Sequence, residues 1–95
     1  MKKILRLYLR FEGAQDAFWT FRDFPAERQK SCWRVTAEDR SISIEFAVIP
    51  TKQSIERFMG RDFQEIQVYG PINPEVLELL KLILRAPVII YDPHR

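Results

Sequence analysis

The side chains with the strongest intrinsic chemistry in this sequence are a single cysteine, Cys32, and a single histidine, His94. A nucleophilic thiol needs a neighbouring base or a positive potential to lower its pKa, whereas His94 is the next-to-last residue, where the backbone is expected to fray. One cysteine and one histidine also fall short of the three or four ligands of a zinc site. We therefore predict a protein that is not an enzyme, with no catalytic residue, no metal site and no cofactor.

A weaker catalytic arrangement involves Asp92, at the end of the last predicted strand. Carboxyl ends of parallel strands lie together, so Asp92 is expected near the loop 70–73, beside a helix N-terminus that favours anions. A carboxylate there suits Mg²⁺, but the loop lacks the glycines of a phosphate-binding loop. An aspartate after a strand is also an ordinary turn residue. An enzymatic function is therefore the third alternative.

A second group of residues has the chemistry of nucleic-acid binding. Arginines and tyrosines alternate with apolar residues on the predicted strands, and such side chains on an open sheet face are typical of single-stranded RNA binding, because bases stack on aromatic rings. The net charge of only +2 and the lack of an RNP1-like motif count against this function. The alternative is that Arg34 pairs with Glu45 on a solvated face. The residues predicted for RNA binding are Arg6, Tyr8, Arg10, Arg34 and Tyr69.

A third group is apolar and suits a protein partner or a second copy of the chain. The helix predicted over 74–85 is apolar around far more than the ~100° stripe that covers a core, so part of it is expected to stay exposed. The alternative is a helix wedged between the sheet and another element. Tryptophan and arginine near the first helix belong to the residue types that dominate interface hot spots. The predicted partner-binding residues are Trp19, Arg22, Leu79, Leu80, Leu82 and Ile83.

The composition of the chain predicts its domain number, its charge distribution and its cellular compartment. The 95 residues predict one domain, 1–95, and 46% hydrophobic residues with seven phenylalanines, three tyrosines and two tryptophans predict a folded chain. Fifteen basic and thirteen acidic residues are interleaved, so no strong field attracts a polyanion. A single cysteine fits a reducing compartment, and no apolar run reaches the ~20 residues of a membrane helix. We expect a cytoplasmic protein without a membrane partner.

Periodicity and turn residues predict the elements that position these groups. Residues 3–11 alternate as a strand, and 14–24 show helical spacing although they are also rich in strand formers. A hairpin follows, then a short helix after Thr51, a strand, a helix capped by Asn73 with Pro74 at its first position, and a last strand. The predicted hairpin and later elements span 31–36 with 41–49, 51–60, 66–69, 74–85 and 88–91.

This order predicts an α+β protein with a ferredoxin-like (βαββαβ) sheet, helices on one face and a C-terminal αβ extension. If 14–24 form a strand, the alternative is an antiparallel β-meander followed by a βαβ-type C-terminal half. With no chemistry evident, the sequence predicts a small protein-binding module. We expect an inhibitor or immunity-type protein that occludes a larger target, or a homodimer; the alternative function is a single-stranded RNA-binding domain.

Overall fold

The computed structural model describes residues 1–21, 23–24, 26–28, 32–37 and 39–91. They form one six-stranded sheet with the strand order β2-β3-β4-β1-β5-β6. In chain order the elements are β1 (Lys2–Tyr8), α1 (Phe11–Trp19), β2 (Ala26–Arg28), β3 (Cys32–Thr36), β4 (Ile42–Val48), a short 3₁₀ helix (Ile55–Phe58), β5 (Glu65–Tyr69), α2 (Pro74–Leu84) and β6 (Val88–Tyr91).

The strand pairing combines a parallel half and an antiparallel half. β1 lies in the centre and pairs in parallel with both β4 and β5, while β6 pairs in parallel with β5. β3 and β4 form the predicted antiparallel hairpin, and β2 adds to β3 at one edge. The α+β class is therefore confirmed, and so is the parallel β5-α2-β6 connection.

The helices lie on both faces of the sheet, so the predicted ferredoxin-like arrangement with helices on one face is wrong. Leu5 and Leu7 of β1 pack on one face with a cluster that includes Leu80 of α2. Phe46 of β4 and Trp33 of β3 pack on the other face, under α1. Because β1 and β4 carry large apolar or aromatic side chains on both faces, each face needs its own cover.

The segment after β1 is a helix, which confirms the helical alternative over the β-meander. It spans Phe11–Trp19 rather than 14–24, because Arg10 already adopts the extended conformation of an N-cap residue. Gly13 lies inside the helix. A Cβ built on it would lie 3.7 Å from the Cβ of Tyr8, so α1 passes close over this side chain. After the helix, Phe21 and Phe24 lie in turns.

The ends of α2 follow the prediction closely. Asn73 accepts a hydrogen bond from the backbone N–H of Glu75, and Pro74 is the first helical residue. Arg85 ends the helix with a φ of 51°, in the left-handed region. In the preceding 3₁₀ helix, Ile55 and Phe58 are buried, whereas Met59 just after it is exposed. Within the described ranges, neither helix is long and apolar enough to cross a bilayer.

Candidate functional site

The predicted partner-binding residues do not form one surface. Trp19, which is 53% exposed, belongs to α1, and α1 lies on the opposite face of the sheet from α2. Arg22 lies outside the described residues. Leu80 is fully buried on the inner side of α2. Ile83 is half-buried and packs against the same core.

Two of the predicted residues do meet on the outer side of α2. Leu79 and Leu82 line a shallow groove of about 670 Å³ along this helix. Leu82 is 73% exposed, whereas Leu79 is half-buried. The ion pair between Lys52 and Glu75 lies at one end of the groove. The groove is therefore an apolar surface with a charged rim, although only Leu82 protrudes strongly from it.

The residues predicted for RNA binding are also divided between faces. Arg34 of β3 lies in register with Glu45 of β4, on the face opposite Tyr8, and its guanidinium forms an ion pair with Glu45 at 3.4 Å. Arg10 is exposed at the start of α1. Arg6 is half-buried, and its Nε donates a hydrogen bond to Oε1 of Gln67 at 2.7 Å. The open, arginine-rich sheet face expected for RNA binding is therefore not formed.

The three tyrosines of the chain do come together, at the carboxyl ends of β1, β5 and β6. Tyr8 lies in register with Tyr69, and Tyr69 with Tyr91. The rings of Tyr8 and Tyr69 are nearly parallel, with centroids 4.9 Å apart and an interplanar angle of 9°. Tyr69 and Tyr91 repeat this geometry at 4.7 Å and 8°. We call Tyr8, Tyr69 and Tyr91 the tyrosine row.

The tyrosine row leads from the core under α1 to the edge of the sheet. Its inner end is covered, because Tyr8 also packs against Phe46. Burial raises the pKa of the Tyr8 phenol, while the nearby Arg6 guanidinium opposes this shift. Tyr69 has a neighbouring ring on each side, so its ring faces are occupied. Exposure rises again at the outer end, where Tyr91 is 39% exposed.

Beyond the tyrosine row, β6 exposes apolar side chains on both faces of the sheet. Ile89 and Tyr91 lie on the face of the tyrosine row, and Ile90 lies on the face of α2; they are 38%, 39% and 52% exposed. No described strand pairs with the outer side of β6. We call the four residues Val88–Tyr91, with this outer side, the β6 edge.

The backbone of the β6 edge also has polar groups directed outward. The carbonyls of Pro87 and Tyr91 accept hydrogen bonds from the amides of Ile66 and Gly70 in or next to β5. Backbone groups alternate in direction along a strand. The N–H and C=O groups of Val88 and Ile90 therefore point away from β5. A second extended chain placed alongside would find donors and acceptors ready for pairing.

This edge was not predicted from the sequence. Val88–Tyr91 is a short apolar run, a pattern typical of a strand buried on both faces. Whether such a strand lies inside a sheet or at its edge depends on strand order, which only the structure gives. Asp92 and His94 of the enzymatic alternative lie outside the described residues. Among the residues that are described, no three histidine, cysteine, aspartate or glutamate side chains form a cluster that could hold a metal ion.

The surface of interest is thus an apolar strand edge, Val88–Tyr91, supported from inside by stacked tyrosines. Its chemistry is that of interfaces, since tyrosine is enriched among the residues that dominate binding energy. Comparison with protein families, curated proteins and solved structures gives no match to this chain.

Proposed function

We propose that this protein is a protein-binding module whose β6 edge pairs with an extended segment of a partner protein. The observation that carries the proposal is the exposure of Ile89, Ile90 and Tyr91 on a strand with no described outer neighbour. Natural proteins usually protect edge strands with charges, prolines or a covering element. Val88–Tyr91 contains neither a charged residue nor a proline.

Strand addition uses both kinds of group that this edge offers. The outward N–H and C=O groups of Val88 and Ile90 would supply main-chain hydrogen bonds, which give affinity with little dependence on sequence. Side chains on the two faces then select the partner, because Ile90 projects to one face and Ile89 with Tyr91 to the other. A partner strand with alternating apolar residues is the occupant that fits.

The tyrosine row holds the Tyr91 ring in position before a partner binds. Tyr91 stacks on Tyr69 at 4.7 Å, and Tyr69 stacks in turn on Tyr8. A ring held in this way loses little conformational entropy when a partner covers it, and ordering of mobile side chains is one of the main costs of association. The outer ring face of Tyr91 is therefore a suitable anchor at the edge.

The same stacking argues against the RNA alternative. Base stacking needs accessible ring faces, and Tyr69 has a ring on each of its faces. Arg6 and Arg34 project to opposite faces of the sheet, so they do not form one phosphate-binding surface beside the stacked rings. A protein partner is the better match, and a partner whose own site is covered in this way would make the chain an inhibitor or immunity-type protein.

Pull-down with matched variants tests the proposal. The tagged protein, Ile90→Lys and Leu82→Lys would each be incubated with lysate of the source organism, with and without nuclease treatment, and sedimentation of each purified variant would measure self-association. Ile90→Lys places a charge on the β6 edge, whereas Leu82→Lys places the same charge on α2. We expect a protein captured by the parent and by Leu82→Lys but not by Ile90→Lys.

Other outcomes would contradict the proposal or identify the partner as a second copy of the chain. Capture that survives Ile90→Lys but is lost in Leu82→Lys would contradict binding at the β6 edge and point to the groove on α2. Nuclease-sensitive RNA in place of protein would contradict the proposed class of partner. Self-association that is lost only in Ile90→Lys would identify the partner strand as β6 of a second copy.

A further inference from the structure

A polar cavity of about 290 Å³ lies at the amino-terminal ends of β1 and β4. It is on the face of α2, at the opposite end of the strands from the tyrosine row, and it is distinct from the β6 edge. Five charged side chains line it, three of them cationic and two acidic: Lys3, Arg34, Arg61, Glu45 and Asp62. Among the described side chains of its wall, cationic groups therefore outnumber acidic ones by one.

The centre of this cavity is a buried carboxylate shared by two arginines. Glu45 is 3% exposed, and its Oε1 lies 2.6 Å from Nη2 of Arg61 and 3.4 Å from Nη2 of Arg34. A buried carboxylate needs a cationic partner to offset its lost hydration, and one guanidinium satisfies that need. A second guanidinium, that of Arg34, contacts the same carboxylate oxygen, which is more than burial of Glu45 requires.

Both guanidinium groups are held in position at the mouth of the cavity. Glu45 fixes them from the inner side, and the Arg61 guanidinium also lies over the ring of Phe63, at 5.1 Å from the centroid. Each arginine side chain in the pair is about one-third exposed, so both are reachable from solvent. The planar guanidinium matches the two oxygens of a carboxylate or phosphate group.

We infer that this cavity binds a compact oxyanion, the carboxylate or phosphate group of a small molecule, between Arg34 and Arg61. Ser43, also buried and lining the same cavity, adds a hydroxyl to its wall. Glu45 acts as the positioning residue, because it orients both arginines without contacting the anion. Its negative charge opposes anion binding. Glu45→Gln removes this charge but keeps a side-chain oxygen that can hold the arginines, so its effect is opposite in sign to removal of an arginine.

Calorimetric titration with sodium phosphate and, separately, sodium malonate tests this inference at constant ionic strength. We expect Arg61→Gln to weaken binding by about tenfold or more, the usual scale for loss of one charge-assisted contact. Glu45→Gln is expected to strengthen it. Arg10→Gln, the same change at an exposed arginine on the other face, is expected to leave it unchanged. Amide NMR spectra of each variant would verify folding and place the shifts near Ser43 and Phe63.

Each result of the titrations either supports or overturns the anion site. Binding of phosphate alone, of malonate alone or of both supports the site and names the group that it accepts. Absence of binding by both anions overturns the inference, as does equal affinity in the parent and in Arg61→Gln. An equal loss in Arg10→Gln would show a general charge effect and would also overturn it. If Glu45→Gln fails to fold, the comparison of Arg61→Gln with Arg10→Gln decides the matter by itself.

Discussion

Replacement of the middle ring of the tyrosine row is expected to destabilise the fold more than replacement of the outer ring. Tyr69 stacks on two rings, at 4.9 and 4.7 Å, whereas Tyr91 stacks on one. A stacked aromatic pair contributes about 0.5–1.5 kcal/mol beyond the area that it buries. Tyr69→Leu should therefore lower the free energy of unfolding by roughly 1–3 kcal/mol, and Tyr91→Leu by roughly half as much.

Urea denaturation of the parent and both variants measures this difference, with equal m-values required for the comparison. Tyr69→Phe is the matched control, because it keeps both stacked pairs and removes only a hydroxyl whose contact with Gln67 is long, at 3.4 Å. It should retain nearly the stability of the parent. If Tyr69→Leu cost no more than Tyr91→Leu, the rings would not support one another and the prepared anchor at the β6 edge would be refuted.

Three further predictions concern the fold that carries this edge. Burial raises the pKa of the Tyr8 phenol, so the unfolded chain loses this proton before the folded protein does as the pH rises above about 10, and the free energy of unfolding falls there. In urea denaturation, Tyr8→Phe should therefore lose less stability than the parent between about pH 8 and pH 11. Asn73→Ala removes the side-chain cap of α2 and should lower the unfolding free energy by about 1 kcal/mol, with an unchanged value contradicting the cap. Leu80→Ala should cost about 2–5 kcal/mol, whereas Leu82→Ala, at an exposed site, should stay within about 0.5 kcal/mol in the same assay.

Local signals in the sequence predicted most of the elements, because they depend on neighbouring residues. The cap at Asn73 with Pro74, and the alternation in β1 and in the β3–β4 hairpin, each act over a few residues. They gave α2, the hairpin and the parallel β6 correctly. The three-residue strand β2 was missed because Ala26–Arg28 is too short and too polar to show a period.

The layering of the sheet was not predictable in the same way. Alternation in β1 separates Leu5 and Leu7 from Arg6 and Tyr8, and the second pair looks like a solvated face. Tyrosine and arginine also pack well when half-buried, because each combines an apolar body with a polar tip. The position of α1 above Tyr8 decides between these states, and it depends on residues distant in sequence. One-sided layering, and with it the open RNA-binding face, was predicted for that reason.

The predicted partner-binding residues lie on different surfaces for the same reason. Leu80 and Leu82 were both predicted as partner-binding residues, but Leu82 is exposed whereas Leu80 faces the core. Every residue around an apolar helix looks alike until the sheet beneath it is in place. The β6 edge depends on strand order, which the sequence pattern does not contain. The predicted cytoplasmic location likewise stays a prediction.

Amide hydrogen exchange measured by NMR is the most direct test of strand addition at the β6 edge. In the free protein the amides of Ile89 and Tyr91, which face β5, should exchange slowly, and those of Val88 and Ile90 should exchange fast. In the complex with a captured partner, Val88 and Ile90 should become protected while Ile89 and Tyr91 change little. Protection that appears elsewhere, with Val88 and Ile90 still exchanging fast in the complex, would contradict the account.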